Sequence, residues 1–404
     1  MPLPILTAAD RSFIANNLTA DLQTLLLRPP AGLEGLHIRE IAEQIQGRQK
    51  AKNKLPGWYA NNALTFPPAL SVEQASSERT AAYKASLVSG QILADLTGGM
   101  GVDTAAFAQT MARVEYVERA RPLAELTGQN LAVLGLSNVA VNVCDGLEWL
   151  DNQLNTFDWL YLDPARRDTR AGRVGGRVVG LANCEPDVLT YLPLLLGKAR
   201  NILLKTSPLL DIEATLRQFS TTRAVYVVAV QGEVKETLFV LGQQPVATTD
   251  VEITAVNLRE SADSQFFTYR RGDEATATVT LANPQTYLYE PNAALLKAGA
   301  FRLAGERFEL NKLAPHSHLY TAHHLVLNYP GRVFIVDTLC RADRKSVQEH
   351  VPGGQANLTV RNFPQPVDVL RKQLHLREGG DVYIFATTLS NGDKRLVVTH
   401  KAVI

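Results

Sequence analysis

The spacing of apolar residues divides the chain into regions of different predicted structure. Up to about residue 85, apolar side chains recur at intervals of three and four, as in Ile14, Leu18 and Leu22, which predicts helices. From about residue 91 to 241, short apolar runs end in Gly, Asp or Pro and alternate with helix-length segments. Such alternation is typical of βα units on a parallel sheet. We therefore expect a helical lobe followed by an α/β domain.

The end of the α/β region has a different pattern. The apolar runs VYVVAVQ and ETLFVL are joined only by residues 232–235, too few for a helical crossover, so they predict an antiparallel hairpin. Beyond about residue 246, strand-like and helix-prone stretches alternate, and after Pro352 a β-α-β-β pattern contains the turn Asn391-Gly392. The predicted divisions are a helical lobe over 1–85, an α/β domain over 86–245, and α+β domains over 246–351 and 352–404.

Composition and charge exclude several classes of protein. The 404 residues are 46% hydrophobic and 20% charged, as in ordinary globular proteins. Because 41 Lys and Arg face 40 Asp and Glu, any nucleic-acid surface must come from local segregation of charge. The three cysteines are widely separated, which excludes a disulfide framework, and no apolar run reaches the roughly 20 residues that span a bilayer. We expect a cytoplasmic protein that is not embedded in a membrane, of undetermined oligomeric state.

A glycine-rich turn follows the first strand of the α/β region. Residues 92–108 (ILADLTGGMGVDTAAFA) predict a strand, a turn and a helix, an arrangement in which a helix N-terminus faces a ligand. Asp95 lies at the strand end. Glu118 and Asp145 end the second and third strands. Since ligands bind at the carboxyl ends of parallel strands, these three acids predict one ligand site.

These motifs resemble those of the class I S-adenosylmethionine-dependent methyltransferases. The resemblance implies an α/β fold with a seven-stranded, mostly parallel sheet that has an antiparallel edge hairpin, preceded by the helical lobe and followed by ferredoxin-like and THUMP-like domains. It implies S-adenosyl-L-methionine as cofactor, with Asp95 at its amino-acid end, Glu118 at its ribose and Asp145 at its adenine. The residues assigned in this way to cofactor binding are Asp95, Thr97, Gly99, Gly101, Asp103, Glu118, Asp145 and Gly146.

The fourth strand ends in FDWLYLDPARRD, where this fold presents its catalytic loop. The segment resembles the D/N-P-P-Y/F/W motif of amino-group methyltransferases, with Ala165 in place of the second proline and Arg166 in place of the aromatic residue. A guanidinium plane can also stack on a base. The resemblance implies methylation of a base nitrogen. The expected catalytic residues are Asp163, Pro164, Arg166 and Lys205.

Basic residues are concentrated beside this loop and at the C-terminus. Five arginines lie between residues 166 and 177, which suits a substrate with a phosphate backbone. The last fifty residues carry excess positive charge and resemble the THUMP-like module of a bacterial methyltransferase family. The expected partner is therefore RNA, either tRNA or rRNA. The expected substrate contacts are Lys84, Arg166, Arg167, Arg170 and Arg173. Four histidines between residues 316 and 324 lack ligand spacing to Cys or a carboxylate, so we expect no metal.

Three alternatives stay open. Lys84, Asp163, Lys205 and Glu236 follow the order of the K-D-K-E tetrad in ribose 2′-O-methyltransferases, where a lysine activates the hydroxyl. A non-catalytic RNA-binding or ribosome-assembly factor would use the same sheet as a scaffold or cofactor sensor. A small-molecule or protein methyltransferase would act without RNA.

Overall fold

The computed structural model describes residues 6–27, 38–166, 181, 184–260 and 263–402. The chain divides into two compact units. One consists of Met1–Thr222 and Leu238–Pro245, and the other of Arg223–Thr237 and Val246–Ile404.

Helices of the first unit form the N-terminal lobe and the crossovers between strands. They are α1 (Ala8–Asn16), α2 (Leu22–Leu27), α3 (Ile38–Ala51), α4 (Pro56–Ala60), α5 (Ala69–Gln74), α6 (Glu78–Ser86), α7 (Val102–Phe107), α8 (Arg121–Val133), α9 (Gly146–Asp151), α10 (Leu192–Lys198) and α11 (Ile212–Gln218). Strands up to residue 241 are β1 (Ile92–Asp95), β2 (Arg113–Val117), β3 (Val139–Asn142), β4 (Phe157–Leu162), β5 (Ala165–Arg166), β6 (Cys184–Glu185), β7 (Ala199–Thr206), β8 (Thr222–Val230) and β9 (Glu233–Leu241).

The second unit continues with shorter helices between strands. Its helices are α12 (Arg271–Thr276), α13 (Ala293–Ala298), α14 (Arg302–Arg307), α15 (Arg344–His350) and α16 (Val367–Leu374). Its further strands are β10 (Glu252–Leu258), β11 (Gln265–Arg270), β12 (Tyr287–Pro291), β13 (Asn311–Lys312), β14 (Tyr320–Ala322), β15 (Gly331–Cys340), β16 (Asn357–Arg361), β17 (Val382–Thr388) and β18 (Lys394–Lys401).

The main sheet of the first unit has the order β9-β7-β4-β1-β2-β3. Strands β7, β4, β1, β2 and β3 are parallel. The central strands are covered on both faces, as in Leu93 and Ala94 of β1, which are 0% exposed. Only Gln231 and Gly232 join β8 to its neighbour β9, so the two strands form an antiparallel hairpin. The mostly parallel α/β sheet with an antiparallel hairpin confirms the predicted fold class, but the hairpin is not at the sheet edge as predicted, because β10 pairs with β8.

Strand β9 also belongs to the second unit, where the order is β11-β10-β8-β9. Strand β10 is parallel to β8, and β11 is antiparallel to β10. The sequence analysis groups these two strands with the predicted domain over 246–351. In the structure they pair with the hairpin, in the order β11-β10-β8.

A second sheet of the second unit has the order β13-β14-β12-β15-β18-β17-β16. One face packs around the rings of Phe334 and Phe385, whose centroids are 4.9 Å apart. The other face packs against α16 through Leu370 and Leu374. Residues on both faces are therefore buried, which makes this sheet the core of the C-terminal region.

Two basic residues of the N-terminal lobe, Arg48 and Lys54, donate hydrogen bonds to backbone carbonyls of the lobe. Arg48, on α3, is 3% exposed and donates to the carbonyl oxygens of Tyr59, Asn61 and Leu64 at 3.0–3.2 Å. Lys54 donates to two backbone carbonyls at the end of α5. These contacts hold the segments around α3 together. Among the described residues, no helix combines the length and the apolar character that crossing a bilayer requires.

Candidate active site

The turn after β1 requires glycine at several positions. A Cβ atom on Gly98 would lie 2.2 Å from the Tyr116 ring, and one on Gly101 would lie 2.4 Å from Thr127 Cγ2. Gly99 and Gly101 have φ angles of +54° and +81°, a region that L side chains rarely adopt. The hydroxyls of Tyr116 and Thr127 also donate to the carbonyl oxygen of Gly99. The turn is therefore held in place by Tyr116 of β2 and Thr127 of α8.

Gly146 lies beside the same turn although it follows β3. A Cβ atom on Gly146 would lie 2.4 Å from the carbonyl oxygen of Leu96, which belongs to the turn. The structure thus brings the predicted glycines Gly99, Gly101 and Gly146 together at the carboxyl end of the parallel strands.

Asp95 is buried under the turn. It is 1% exposed, and its carboxylate accepts hydrogen bonds from Thr97 N at 3.1 Å and from Thr104 Oγ1 at 2.6 Å. Burial raises the pKa of Asp95 to about 7 despite these bonds, and the charges of Asp103 and Asp163 act in the same direction. Through its bonds to Thr97 and Thr104, the Asp95 carboxylate stabilises the conformation of the turn.

Glu118 and Asp145 are partly exposed at the ends of β2 and β3. Glu118 accepts from Gly99 N at 3.0 Å and from Ala120 N at 2.8 Å, so it connects β2 to the glycine turn. Asp145 caps α9, since its Oδ1 accepts from Leu147 N at 2.9 Å and from Glu148 N at 3.2 Å. The predicted acids lie at successive strand ends, and each also holds a loop.

Asp163 lies just beyond β4 and forms an ion pair with Lys205 on β7. Its Oδ2 is 2.5 Å from Lys205 Nζ, and the two side chains are 36% and 13% exposed. The backbone N–H of Asp163 donates to Thr97 Oγ1 at 2.7 Å. Two of the predicted catalytic residues are therefore in contact, beside the turn that contains Thr97.

Lys84 and Asp103 form a separate buried pair. Lys84 is 0% exposed, its Nζ lies 3.1 Å from Asp103 Oδ1, and it donates to Ser76 Oγ at 2.9 Å. Asp103 Oδ2 accepts from Ser76 Oγ and Tyr161 OH, each at 2.7 Å. Burial raises the pKa of Asp103, but the Lys84 and Lys205 charges and these hydrogen bonds hold it below its ordinary value. Lys84 thus contacts the protein interior, where a substrate cannot reach it in this structure.

The remaining predicted residues are placed as follows. Pro164 follows Asp163 and is partly exposed, and Glu236 on β9 is buried. The side chain of Arg166 and residues Arg167, Arg170 and Arg173 lie outside the described residues.

Two short strands flank the arginine-rich segment. Strands β5 and β6 pair antiparallel, with Ala165 opposite Glu185. Glu185 forms an ion pair with Arg119, the residue after Glu118. The sequence did not point to Arg119, because an isolated arginine carries no motif.

Several further residues of the site also have no sequence motif. Ser76, Thr104 and Tyr161 support Asp103 and Asp95 through hydroxyl groups. Of these three residues, only Thr104 could have been suspected from the sequence, because it lies three residues after Gly101. In the described part of the chain, no group of His, Cys, Asp and Glu is arranged to hold a metal ion.

Comparisons with known proteins cover the whole chain. Residues 287–330 match the sequence model of a ferredoxin-like domain, and residues 331–401 match that of a THUMP domain-like family. A protein of Porphyromonas gingivalis W83, assigned as a methyltransferase and solved as a crystal structure, is 30% identical, with a TM-score of 0.85 over 98% of both chains. Two proteins of Mycobacterium tuberculosis, from strains CDC 1551 and H37Rv, are each named as an uncharacterized S-adenosylmethionine-dependent methyltransferase. Both are 22% identical over 325 residues, 80% of this chain and 84% of theirs.

Proposed function

Because this chain belongs to the family of S-adenosylmethionine-dependent methyltransferases with ferredoxin-like and THUMP-like C-terminal domains, we propose that it methylates RNA on a base nitrogen. Its cofactor is S-adenosyl-L-methionine. The observation that carries the choice of acceptor is the Asp163 carboxylate, which Lys205 and the Thr97 contact hold at the end of β4.

The residues present fit this cofactor. A Cβ atom on Gly99 would meet only the Thr97 carbonyl oxygen, at 3.7 Å, so the turn is open on that side, whereas Gly98 and Gly101 are closely packed. Glu118 and Asp145 border the turn and remain partly exposed, as contacts to ribose and adenine require. Asp95 would position the amino-acid end through the turn, since its own carboxylate is buried. When bound, the cofactor supplies an electrophilic methyl group on a sulfonium.

Asp163 and Pro164 would orient the acceptor. Lys205 occupies Asp163 Oδ2, so Oδ1 and the Pro164 carbonyl oxygen are suited to accept hydrogen bonds from a base amine. Two such bonds direct the nitrogen lone pair toward the methyl group, and orientation of this kind contributes much of the acceleration in transfer reactions. Asp163 and Pro164 would hold the nitrogen while it takes up the methyl group, and the cofactor sulfur would keep the electron pair of the broken sulfur–carbon bond. The nitrogen then releases a proton, for which Asp163 is a suitable acceptor.

The burial of Lys84 favours base over ribose methylation. A ribose 2′-O-methyltransferase needs a lysine that reaches the hydroxyl, but Lys84 is 0% exposed and paired with Asp103. Of the four residues in that alternative, only Lys205 and Asp163 pair with each other, and this ion pair is partly exposed. Lys84 pairs instead with Asp103, which is not one of the four.

RNA as the substrate is supported by charge and by the C-terminal match. The segment from Arg166 to Arg177 carries five arginines, and it starts three residues after Asp163. Guanidinium groups bind phosphates and stack on bases. The match of residues 331–401 to a THUMP domain-like family agrees with an RNA partner.

Methyl transfer from radiolabelled cofactor to bulk tRNA and rRNA, followed by nucleoside mass spectrometry, tests the proposal. We expect an N-methylated base whose formation falls at least about 100-fold in Asp163→Ala, while cofactor affinity is retained. The matched control is Asp151→Asn, which changes an exposed acid at the end of α9. A 2′-O-methylated nucleoside, or labelling only of protein or small molecules, would contradict the proposal. Cofactor binding without any transfer would favour the scaffold reading.

A further inference from the structure

A buried carboxylate in the second unit holds two arginines. Glu290 on β12 accepts from Arg332 at 2.9 Å (Nε) and 2.5 Å (Nη2), both at Oε2. Its Oε1 accepts from Arg361 Nη2 at 3.0 Å. Glu290 lies in the ferredoxin-like match, and both arginines lie in the THUMP-like match. The cluster therefore joins the two matched regions.

The two guanidinium groups remain accessible although the carboxylate is not. The Glu290 side chain is 4% exposed, whereas those of Arg332 and Arg361 are 48% and 35% exposed. The Arg332 guanidinium lies 5.4 Å from the ring centre of Phe334 and 5.9 Å from that of Tyr383. Contact with aromatic rings restricts the orientation of the guanidinium and leaves its outer N–H groups available.

The hydrogen-bonding capacity of the cluster exceeds what the protein uses. A guanidinium has five N–H donors, of which Arg332 directs two and Arg361 one to Glu290. Within the described residues, Arg361 Nε has no hydrogen-bond partner, but it is buried and therefore out of reach of a ligand. The donors that can meet a ligand are the Nη groups, of which Glu290 uses only one N–H from each arginine.

The surroundings of the cluster are also positively charged. Two arginines share one carboxylate, which leaves an excess of one positive charge. Burial, together with the charges of Lys312, His316 and Arg361, lowers the pKa of His318 to about 4. An anion placed here would be attracted by this local field.

We propose that Arg332 and Arg361, oriented by Glu290, bind a phosphodiester group of the RNA substrate. Guanidinium groups recognise phosphate through paired N–H···O bonds, and prior orientation by Glu290 reduces the entropy lost on binding. This inference rests on the RNA substrate proposed above and adds a contact site in the second unit. The segment YLYEPN (287–292), which has no chemical signature by itself, thereby acquires a role, because Glu290 positions the two arginines.

Filter binding of bulk tRNA over a range of salt concentrations tests this inference. We expect Arg332→Gln and Arg361→Gln each to weaken binding roughly three- to tenfold near 0.1 M salt and to reduce the slope of log K against log salt by about 1. The Lys variants at both positions should weaken binding while largely keeping the slope, and they serve where a Gln variant does not fold. The matched control is Arg113→Gln, since Arg113 is 62% exposed, is paired with Glu115 and lies at the start of β2, at the end opposite Glu118; its slope should equal that of the wild type.

The outcomes separate this inference from the proposed function. If the Gln variants bind tRNA with the wild-type slope while the wild type still methylates RNA, the inference is overturned and the proposed function stands. If the slopes fall as expected but no RNA is methylated, the contact of the two arginines with RNA phosphate stands, while RNA as the methylated substrate, and with it the proposed function, fails. A wild type that binds no RNA contradicts both. If inorganic phosphate at constant ionic strength raises the unfolding temperature of the wild type but not of the variants, and tRNA affinity is unchanged by them, the site binds a small anion and the inference is overturned.

Discussion

Thr97 Oγ1 accepts a hydrogen bond from the backbone N–H of Asp163, at 2.7 Å. Thr97 also donates its own N–H to the buried carboxylate of Asp95, at 3.1 Å. A continuous series of bonds therefore runs from the end of β1 to the residue after β4. The position of the proposed catalytic acid therefore depends on the glycine turn, for which we propose cofactor binding.

Replacement of Thr97 by Val should reduce both catalysis and stability. Valine has a similar shape but leaves the Asp163 N–H without its acceptor, which costs about 1–3 kcal/mol and shifts the loop. We expect the methylation rate to fall about tenfold or more, with Thr97→Ser retaining most activity. Single-turnover rates and thermal unfolding of both variants measure the effect. Equal rates in the two variants would show that the bond does not position Asp163.

The packing of the glycine turn predicts loss of cofactor binding in Gly98→Ala. The added methyl group would lie 2.2 Å from the buried ring of Tyr116. Overpacking of this kind costs about 1–3 kcal/mol, which we expect to appear as a 10- to 100-fold loss of cofactor affinity by calorimetry. Gly197→Ala is the control, because nothing lies within 4 Å of its added Cβ in α10. Retained affinity in Gly98→Ala would mean that the turn adapts without consequence for the ligand.

The raised pKa of Asp95 predicts a pH-dependent effect of Asp95→Asn on stability. The pKa rises from an ordinary value of 3.8 to about 7 on folding. Between these values the folded state binds a proton that the unfolded state has lost, so Asp95 lowers stability increasingly as the pH rises from about 4 to 7, and by a constant amount above 7. The Asn variant lacks this penalty.

Urea unfolding at pH 5 and pH 8 measures this difference. The stability of Asp95→Asn relative to the wild type should increase by at most about 2–3 kcal/mol from the lower to the higher pH. The Asn oxygen can still accept from Thr97 N, and the Thr104 hydroxyl can rotate to accept from the new amide. A stability difference that stays constant with pH would show that Asp95 is not protonated in this range.

Lys84→Met should lower the free energy of unfolding. Removal of the ammonium leaves the buried Asp103 carboxylate without its ion-pair partner, which typically costs about 3–5 kcal/mol. We expect Lys84→Met/Asp103→Asn to recover part of that loss, as measured by urea unfolding. In the ribose 2′-O alternative, Lys84→Met would abolish transfer with an unchanged unfolding midpoint.

The sequence was most informative for charged residues that directly follow a predicted strand. Asp95, Glu118 and Asp145 were predictable at one sheet edge, because parallel strands align their carboxyl ends. The pairing of Asp163 with Lys205 follows from the neighbouring positions of β4 and β7. The partner of Lys84 was not predictable. Its choice of Asp103 depends on how α6 packs against α7, a tertiary contact that leaves no periodic signal.

The same limit applies to the second unit. The basic residues Arg332 and Arg361 are 29 positions apart along the chain and belong to different strands. Only the folded second sheet brings both to Glu290. A count of charges therefore indicated excess positive charge near the C-terminus, but it could not show which two arginines bind the same carboxylate.

The pairing of Ala165 with Glu185 places the two flanks of the arginine-rich segment next to each other. Each flank has its own attachment, since Asp163 is bonded to Lys205 and Thr97, and Glu185 is paired with Arg119. A substitution between residues 167 and 183 that leaves both flanks in place should therefore leave these contacts intact. Under the proposed function, exchange of this segment between two relatives should change RNA binding while the affinity for the methyl donor is retained.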